Sequence, residues 1–202
     1  SGRGVGFDIK DYNITFPGAT GRGLVSSQFE WNIFCDDVNL KIKDEFTFQF
    51  IVVDNANKCR FYKADTLDVT VKLYPPDNTG PTLLIANLNQ DVQMLNNHLT
   101  VELGQQITLG LSGVDPDNLP QPDFLRLELI QVEGEPADGY VFAPAEGLRT
   151  VQTTFTWNPQ CSIFADGVYE NDYTFTFRVV DDRCFNSKGD TLAIDITIKD
   201  VE

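Results

Sequence analysis

"YTFTFRVVDDRC", residues 173–184, repeats almost letter for letter an earlier stretch, "FTFQFIVVDNANKC", residues 46–59. Sliding the chain against itself by roughly 126 positions extends the match in both directions, which is how a repeated structural unit shows itself in a sequence. "TFPGATGRGLVSSQFEWN" (15–32) falls on "VFAPAEGLRTVQTTFTWN" (141–158), Trp31 on Trp157, Cys35 on Cys161, Cys59 on Cys184, and "ADTLDVTVKL" on "GDTLAIDITI".

Within each copy the apolar residues recur with period two. Tyr173, Phe175, Phe177 and Val179 point one way, and Thr174, Thr176, Arg178 and Val180 the other, the mark of a half-buried strand. Leu192, Ile194, Ile196 and Ile198 alternate in the same way, and Leu125, Leu127 and Leu129 form another such run. Strands are expected near 83–88, 99–103, 106–112, 124–130, 139–143, 151–157, 173–180 and 191–198, separated by Gly, Pro, Asn and Asp turns. This pattern predicts an all-β chain of tandem antiparallel Ig-like or cadherin-like β-sandwich domains, with Phe155 and Trp157 in the core of the second. Residues 76–202 read as a complete repeat and residues 1–75 as an incomplete one, the C-terminal part of a sandwich; "YPPDNTGP" (74–81) stiffens the junction with three prolines. Half a sandwich leaves its core open. The missing strands are therefore expected from a longer array of which this is a window, or from another chain.

Hydrophobic residues make up 42% of the chain and aromatics 11%, with fifteen Phe, enough to fill real cores. Thirty acidic against 15 basic residues, a net charge of -15, leave no basic stripe for nucleic acid and would repel an anionic lipid surface. No run of 18 apolar residues is present for membrane insertion, and "SGRGVGFDIK" lacks the charged and apolar regions of a signal peptide, consistent with a processed or excised segment.

Four cysteines recur at equivalent positions, Cys35, Cys59, Cys161 and Cys184. An even, recurrent set in an acidic β protein points to disulfides and an oxidising, extracytoplasmic location rather than to zinc, which would want closer cysteines and more than one His. Pairing within each unit is the simplest arrangement. If the strands before and after residues 158–172 are antiparallel neighbours, however, Cys161 and Cys184 lie at opposite poles, about 25 Å apart. Either that loop folds back, or the bonds run between units, Cys35 to Cys184.

Acidic turns gather at one predicted pole: Asp77 and Asn78 in "PPDN", Asp115, Asp117 and Asn118 in "DPDN", Asp181 and Asp182 in "VVDD". Oxygen ligands converging from three loops suit Ca2+, which takes six to eight of them, and match in outline the arrangement in which calcium rigidifies cadherins. Asp and Asn are equally ordinary turn residues. No catalytic motif stands out. His98, the lone histidine, begins a predicted strand without a nucleophile motif around it, and the glycines of "GATGRG" precede no helix. No enzyme is expected.

The run "FTWNPQC", "YTFTFRVVDDRC", "GDTLAIDITI" and its earlier copy resemble the tandem Ig-like or cadherin-like repeats of very large cell-surface proteins of Bacteroidetes, including the mobile adhesins of gliding bacteria exported by the type IX secretion system. The resemblance covers most of residues 14–202. It implies an extracellular, cell-surface stalk segment whose partners are neighbouring repeats of the same long chain, with surface polysaccharide or an abiotic surface engaged by a distal region. It also implies a glycoprotein, O-glycosylated at Asp-Thr-Leu, here at Thr66 and Thr191. The alternative is a carbohydrate-binding or accessory module of a secreted enzyme, with Tyr140, Phe142, Phe164 and Tyr169 as the aromatic platform.

Overall fold

Alternation becomes strand where it is sustained, because β-branched and aromatic residues on one face find a partner layer while the polar face meets water. The computed structural model describes residues 1–54, 63–89, 91–118, 121–134 and 137–200. It divides into two units, Ser1–Pro75 and Pro76–Glu202. The fold is all-β, with two short 3-10 turns, Ile9–Tyr12 and Cys161–Ile163.

The first unit contains β1 (Gly2–Gly4), β2 (Ile14–Thr15), β3 (Glu30–Trp31), β4 (Glu45–Asp54) and β5 (Lys63–Lys72). The second contains β6 (Thr82–Asn87), β7 (Met94–Leu95), β8 (His98–Glu102), β9 (Ile107–Val114), β10 (Phe124–Glu133), β11 (Tyr140–Phe142), β12 (Ala145–Leu148), β13 (Thr150–Trp157), β14 (Glu170–Asp181) and β15 (Gly189–Lys199). The eight expected strands of the second unit are present, each shifted by no more than a few residues. The short β7 and β12 carry too few residues to display a period. β7 and β8 form a hairpin across Asn96 and Asn97, whose φ values of 53° and 63° give the two-residue turn that Asn tolerates.

In the second unit a six-stranded sheet, β12-β10-β14-β15-β8-β7, packs on a four-stranded one, β11-β13-β9-β6. All pairings are antiparallel except β8 with β15, which is parallel; a period-two pattern specifies a face but no direction. The inner faces interlock around Phe155, Trp157, Tyr173, Phe175 and Phe177, each at most 2% exposed. Phe175 meets Phe155 at 4.7 Å between ring centroids, Trp157 at 5.3 Å and Tyr140 at 5.4 Å. The Trp157 indole donates to the Asp138 carbonyl at 2.8 Å, satisfying its one buried donor. The layers approach closely at Gly113: a Cβ there would lie 2.6 Å from Val179 Cγ2 and 2.9 Å from Val151 Cγ1.

The first unit reproduces part of this plan register for register. Ile14 faces Trp31 as Tyr140 faces Trp157. Phe46, Phe48 and Phe50 face Val71, Val69 and Leu67 as Tyr173, Phe175 and Phe177 face Ile196, Ile194 and Leu192. Gly2 and Gly4 face Phe50 and Phe48 where Leu129 and Val132 face Phe177 and Phe175, so β1 corresponds to the end of β10. The core here is small, with Val38, Phe46 and Phe48 buried and Phe7, Tyr12, Phe29 and Trp31 packed around them. Edge-to-face rings hold it: Trp31 to Phe46 at 5.0 Å and Phe7 to Phe46 at 5.5 Å, with the Lys43 ammonium 4.3 Å from the Phe7 ring. Trp31 Nε1 is buried without the hydrogen bond that Trp157 makes.

The cysteines do not follow simple within-unit pairing. Cys35 and Cys184 are disulfide-bonded, but Cys161 is an exposed free thiol, so the expected Cys161–Cys184 bridge does not form. The reason is distance: Cys161 precedes β14 and Cys184 follows its end, and a strand of that length separates them by roughly 40 Å at about 3.3 Å per residue. Cys59 lies outside the described residues.

Candidate functional site

One end of the second unit gathers the acidic turns. β9 delivers Asp115, the segment before β10 delivers Asp123, β14 ends on Asp181, and the chain ahead of β6 brings Asn78 and Thr79. Asp115, Asp123 and Asp181 are 1%, 3% and 5% exposed. Each offers a carboxylate oxygen, and these lie within 4.8 Å of one another. Like charges this close and this dry repel, and their coexistence calls for a counter-charge.

Arg183, also 5% exposed, supplies it. Its Nε lies 3.0 Å from Asp123 Oδ1 and its Nη2 3.6 Å from Asp117 Oδ2, while Nη1 donates to the Gln121 carbonyl at 3.3 Å. Backbone and amide donors complete the frame. Asp181 Oδ1 accepts from the Lys188 N–H at 2.9 Å and the Arg183 N–H at 3.2 Å, and Oδ2 accepts from Asn78 Nδ2 at 2.8 Å. Asp117 accepts from the Thr79 N–H at 2.7 Å and hydroxyl at 3.0 Å, and Asp115 Oδ1 from the Asp117 N–H at 2.7 Å. The Oδ2 atoms of Asp115 and Asp123 are buried without a hydrogen-bond partner. Burial pushes the Asp123 carboxyl up to about 6; Arg183 pulls against this and Asp115, Asp181 and Asp182 add to it. The Thr79 N–H holds Asp117 below the usual carboxylate range.

The six residues expected to hold Ca2+ are not assembled as a set. Asp77 is exposed, Asp182 turns away to accept from the Phe124 N–H at 2.8 Å, and Asn78 and Asp117 are engaged as described. Asp115 and Asp181 enter the cluster together with Asp123. A hard cation would be held by these three, Asp115 Oδ2 and Asp123 Oδ2 being the uncommitted donors, but that is fewer oxygens than calcium's six to eight. Arg183 already provides positive charge beside Asp123. Sequence reading missed Asp123 and Arg183; both stand next to turn residues and carry no local mark of burial, although "DDRC" places a cation directly beside the acids.

The other residues of interest are dispersed. Thr66 and Thr191 are exposed, and each receives the same local bond, its N–H donating to the preceding Asp Oδ1 at 2.9 Å. Tyr140, Phe142 and Phe164 pack against the core rather than forming a surface platform; Tyr169 is 60% exposed. His98 Nε2 bonds Thr197 Oγ1 at 3.0 Å, and that hydroxyl donates to Asp172 Oδ1 at 2.6 Å, a clamp across three strands. Thr197 is 6% exposed and its proton is committed to Asp172, so the arrangement offers no nucleophile. Among the described residues, no helix is long and apolar enough to cross a membrane.

No protein-family model matches the chain, and no curated protein matches it. Among solved structures it is similar to AggA, the major subunit of aggregative adherence fimbriae type I from Escherichia coli, with a TM-score of 0.35 and 9% sequence identity, over 62% of this chain and 98% of that one. A likeness of that size leaves function to the chain's own residues.

Proposed function

We propose that the chain is a load-bearing segment of a large extracellular surface adhesin, of the gliding-motility type implied by its repeats, and that its work is mechanical. Neighbouring repeats of the same long chain are its partners, and a region elsewhere in that chain engages polysaccharide or an abiotic surface. The recurrence of one strand register in both units carries this reading, since modules copied in tandem supply length and stiffness additively. Bonded Cys35 and Cys184 fit an oxidising exterior, and exposed Thr66 and Thr191 are open to glycosylation.

The topology of the second unit suits tension. Its chain enters ahead of β6 and leaves through β15, whose neighbour β8 runs parallel to it. Pulling on the ends therefore loads the β8–β15 hydrogen bonds in shear, so that they resist together rather than one at a time. Single-molecule force extension of the full chain, with its disulfides reduced, should show a discrete unfolding peak. The gain in contour length should be on the order of 400 Å for Thr82–Lys199 at up to ~3.6 Å per residue. Extension without a resolvable peak would contradict a load-bearing role.

A further inference from the structure

Carboxylates that converge in a dry setting are a common seat for a divalent cation, because a concentrated positive charge is what offsets their repulsion. At this pole Arg183 supplies the charge, and it does so with every edge of its guanidinium. Nε stands 3.0 Å from Asp123 Oδ1, Nη2 stands 3.6 Å from Asp117 Oδ2, and Nη1 donates to the Gln121 carbonyl at 3.3 Å. The planar fork is rigid, and its side chain is 3% exposed, as is that of Asp123. The turn that carries it is pinned as well: the Arg183 N–H donates to Asp181 Oδ1 at 3.2 Å, and the Ser187 hydroxyl donates to the Asp181 carbonyl at 2.6 Å. In the sequence a basic residue stands ahead of the cysteine in both copies of the repeat, Lys58 before Cys59 and Arg183 before Cys184.

A metal ion finds no comparable set of ligands beside that guanidinium. Asp181 accepts from the Arg183 and Lys188 N–H groups and from Asn78 Nδ2, and both oxygens of Asp117 accept from Thr79. What is left is Asp115 Oδ2 and Asp123 Oδ2, buried and without a hydrogen-bond partner. That pair falls well short of the about six to eight oxygens calcium takes. An ion on Asp123 Oδ2 would also face a like charge across the same carboxylate, with little water to screen it. Removing the guanidinium reverses both effects. Asp123 Oδ1, Asp117 Oδ2 and the Gln121 carbonyl then lose their cationic partner and stand with Asp115 Oδ2 and Asp123 Oδ2 as an anionic, all-oxygen donor set, the kind that hard divalent cations prefer.

We propose that Arg183 is the resident cation of this pole: it takes the place of a divalent ion among Asp115, Asp117, Asp123 and Asp181, so that the second unit closes without metal, and it holds shut a divalent-cation site that its removal opens. This is independent of the mechanical role, since a buried acidic cluster needs its counter-charge whatever the chain does. It makes the stability of the pole indifferent to the calcium level around it.

The test is thermal unfolding of the full chain in a Trp31→Phe background, followed by the fluorescence of Trp157 in the second unit. It is run at about pH 8, above the value of about 6 to which Asp123 is pushed, so that protons do not compete. With Arg183 in place, the chain should unfold at the same temperature in calcium as in EGTA at matched ionic strength. Arg183→Gln should instead be stabilised by calcium: with a dissociation constant of about 10⁻⁴–10⁻³ M, about 10 mM calcium raises the folded-to-unfolded ratio roughly 10- to 100-fold. Adding Asp123→Asn to Arg183→Gln should abolish that response. Stabilisation of the Arg183 chain by calcium would overturn the proposal, because it would place a metal ion beside the guanidinium. Arg183→Gln unfolding alike in calcium and in EGTA would overturn it too, and so would a variant that stays unfolded in both. A variant that folds only in calcium would support it.

Discussion

Phe175→Ala should destabilise the second unit by about 3–5 kcal/mol, the cost of emptying a fully buried aromatic site whose walls cannot collapse. Phe175 is 0% exposed and lies at the meeting point of Phe155, Trp157 and Tyr140. Those three rings come from β11 and β13 of the facing sheet, so closing the void would require a backbone shift in paired strands. Denaturant unfolding followed by tryptophan fluorescence in a Trp31→Phe background, which leaves Trp157 as the reporter, with the midpoint falling and the slope preserved, measures the loss. A cost below about 1 kcal/mol would show the two layers to be loosely packed.

Arg183→Ala should cost a comparable amount, about 3–5 kcal/mol, because it strips the counter-charge from a buried acidic cluster. The expectation has a specific signature. Asp123→Asn removes the carboxylate nearest the guanidinium, so the double variant should be less destabilised than the sum of the two single changes. The pH dependence follows from Asp123, whose folded value of about 6 lies above the ordinary 3.8. The folded state then binds more protons than the unfolded one between those values. The contribution of Asp123 is fully present below pH ~4 and is lost as pH rises through about 6. Acidifying from pH 7 to pH 4 should therefore stabilise the parent relative to Asp123→Asn. A pH-independent difference would remove Asp123 from the account.

The fold was legible where pattern is local. The Tyr173–Val179 and Leu192–Ile198 alternations place both central strands, and "FEWN" against "FTWN" announces the copied core before any coordinates. What was not legible depends on where distant segments meet. The parallel direction of β8, the free thiol of Cys161 and the burial of Arg183 and Asp123 are decided by which loops share a pole. Residues 158–169 stay at the pole where β13 ends and β14 begins, so it is β14 that carries the chain from Cys161 to the opposite pole. Arg183 illustrates the limit: guanidinium groups usually face water, and only the convergence of Asp115, Asp117 and Asp123 makes its burial favourable. Asp115 and Asp181 are recognisable as neighbours because their loops follow strands that end at the same pole of the sandwich, whereas Asp123 reads as an ordinary turn before a strand.

The claim beneath all of this is that a single module plan, whole in residues 76–202, is written again in part within residues 1–75. Cross-strand nuclear Overhauser contacts test it directly. Ile14 should contact Trp31 as Tyr140 contacts Trp157, and Phe46 should contact Val71 as Tyr173 contacts Ile196. Contacts offset by even one residue in the first unit, with those of the second intact, would place its side chains on the opposite face and contradict the shared plan.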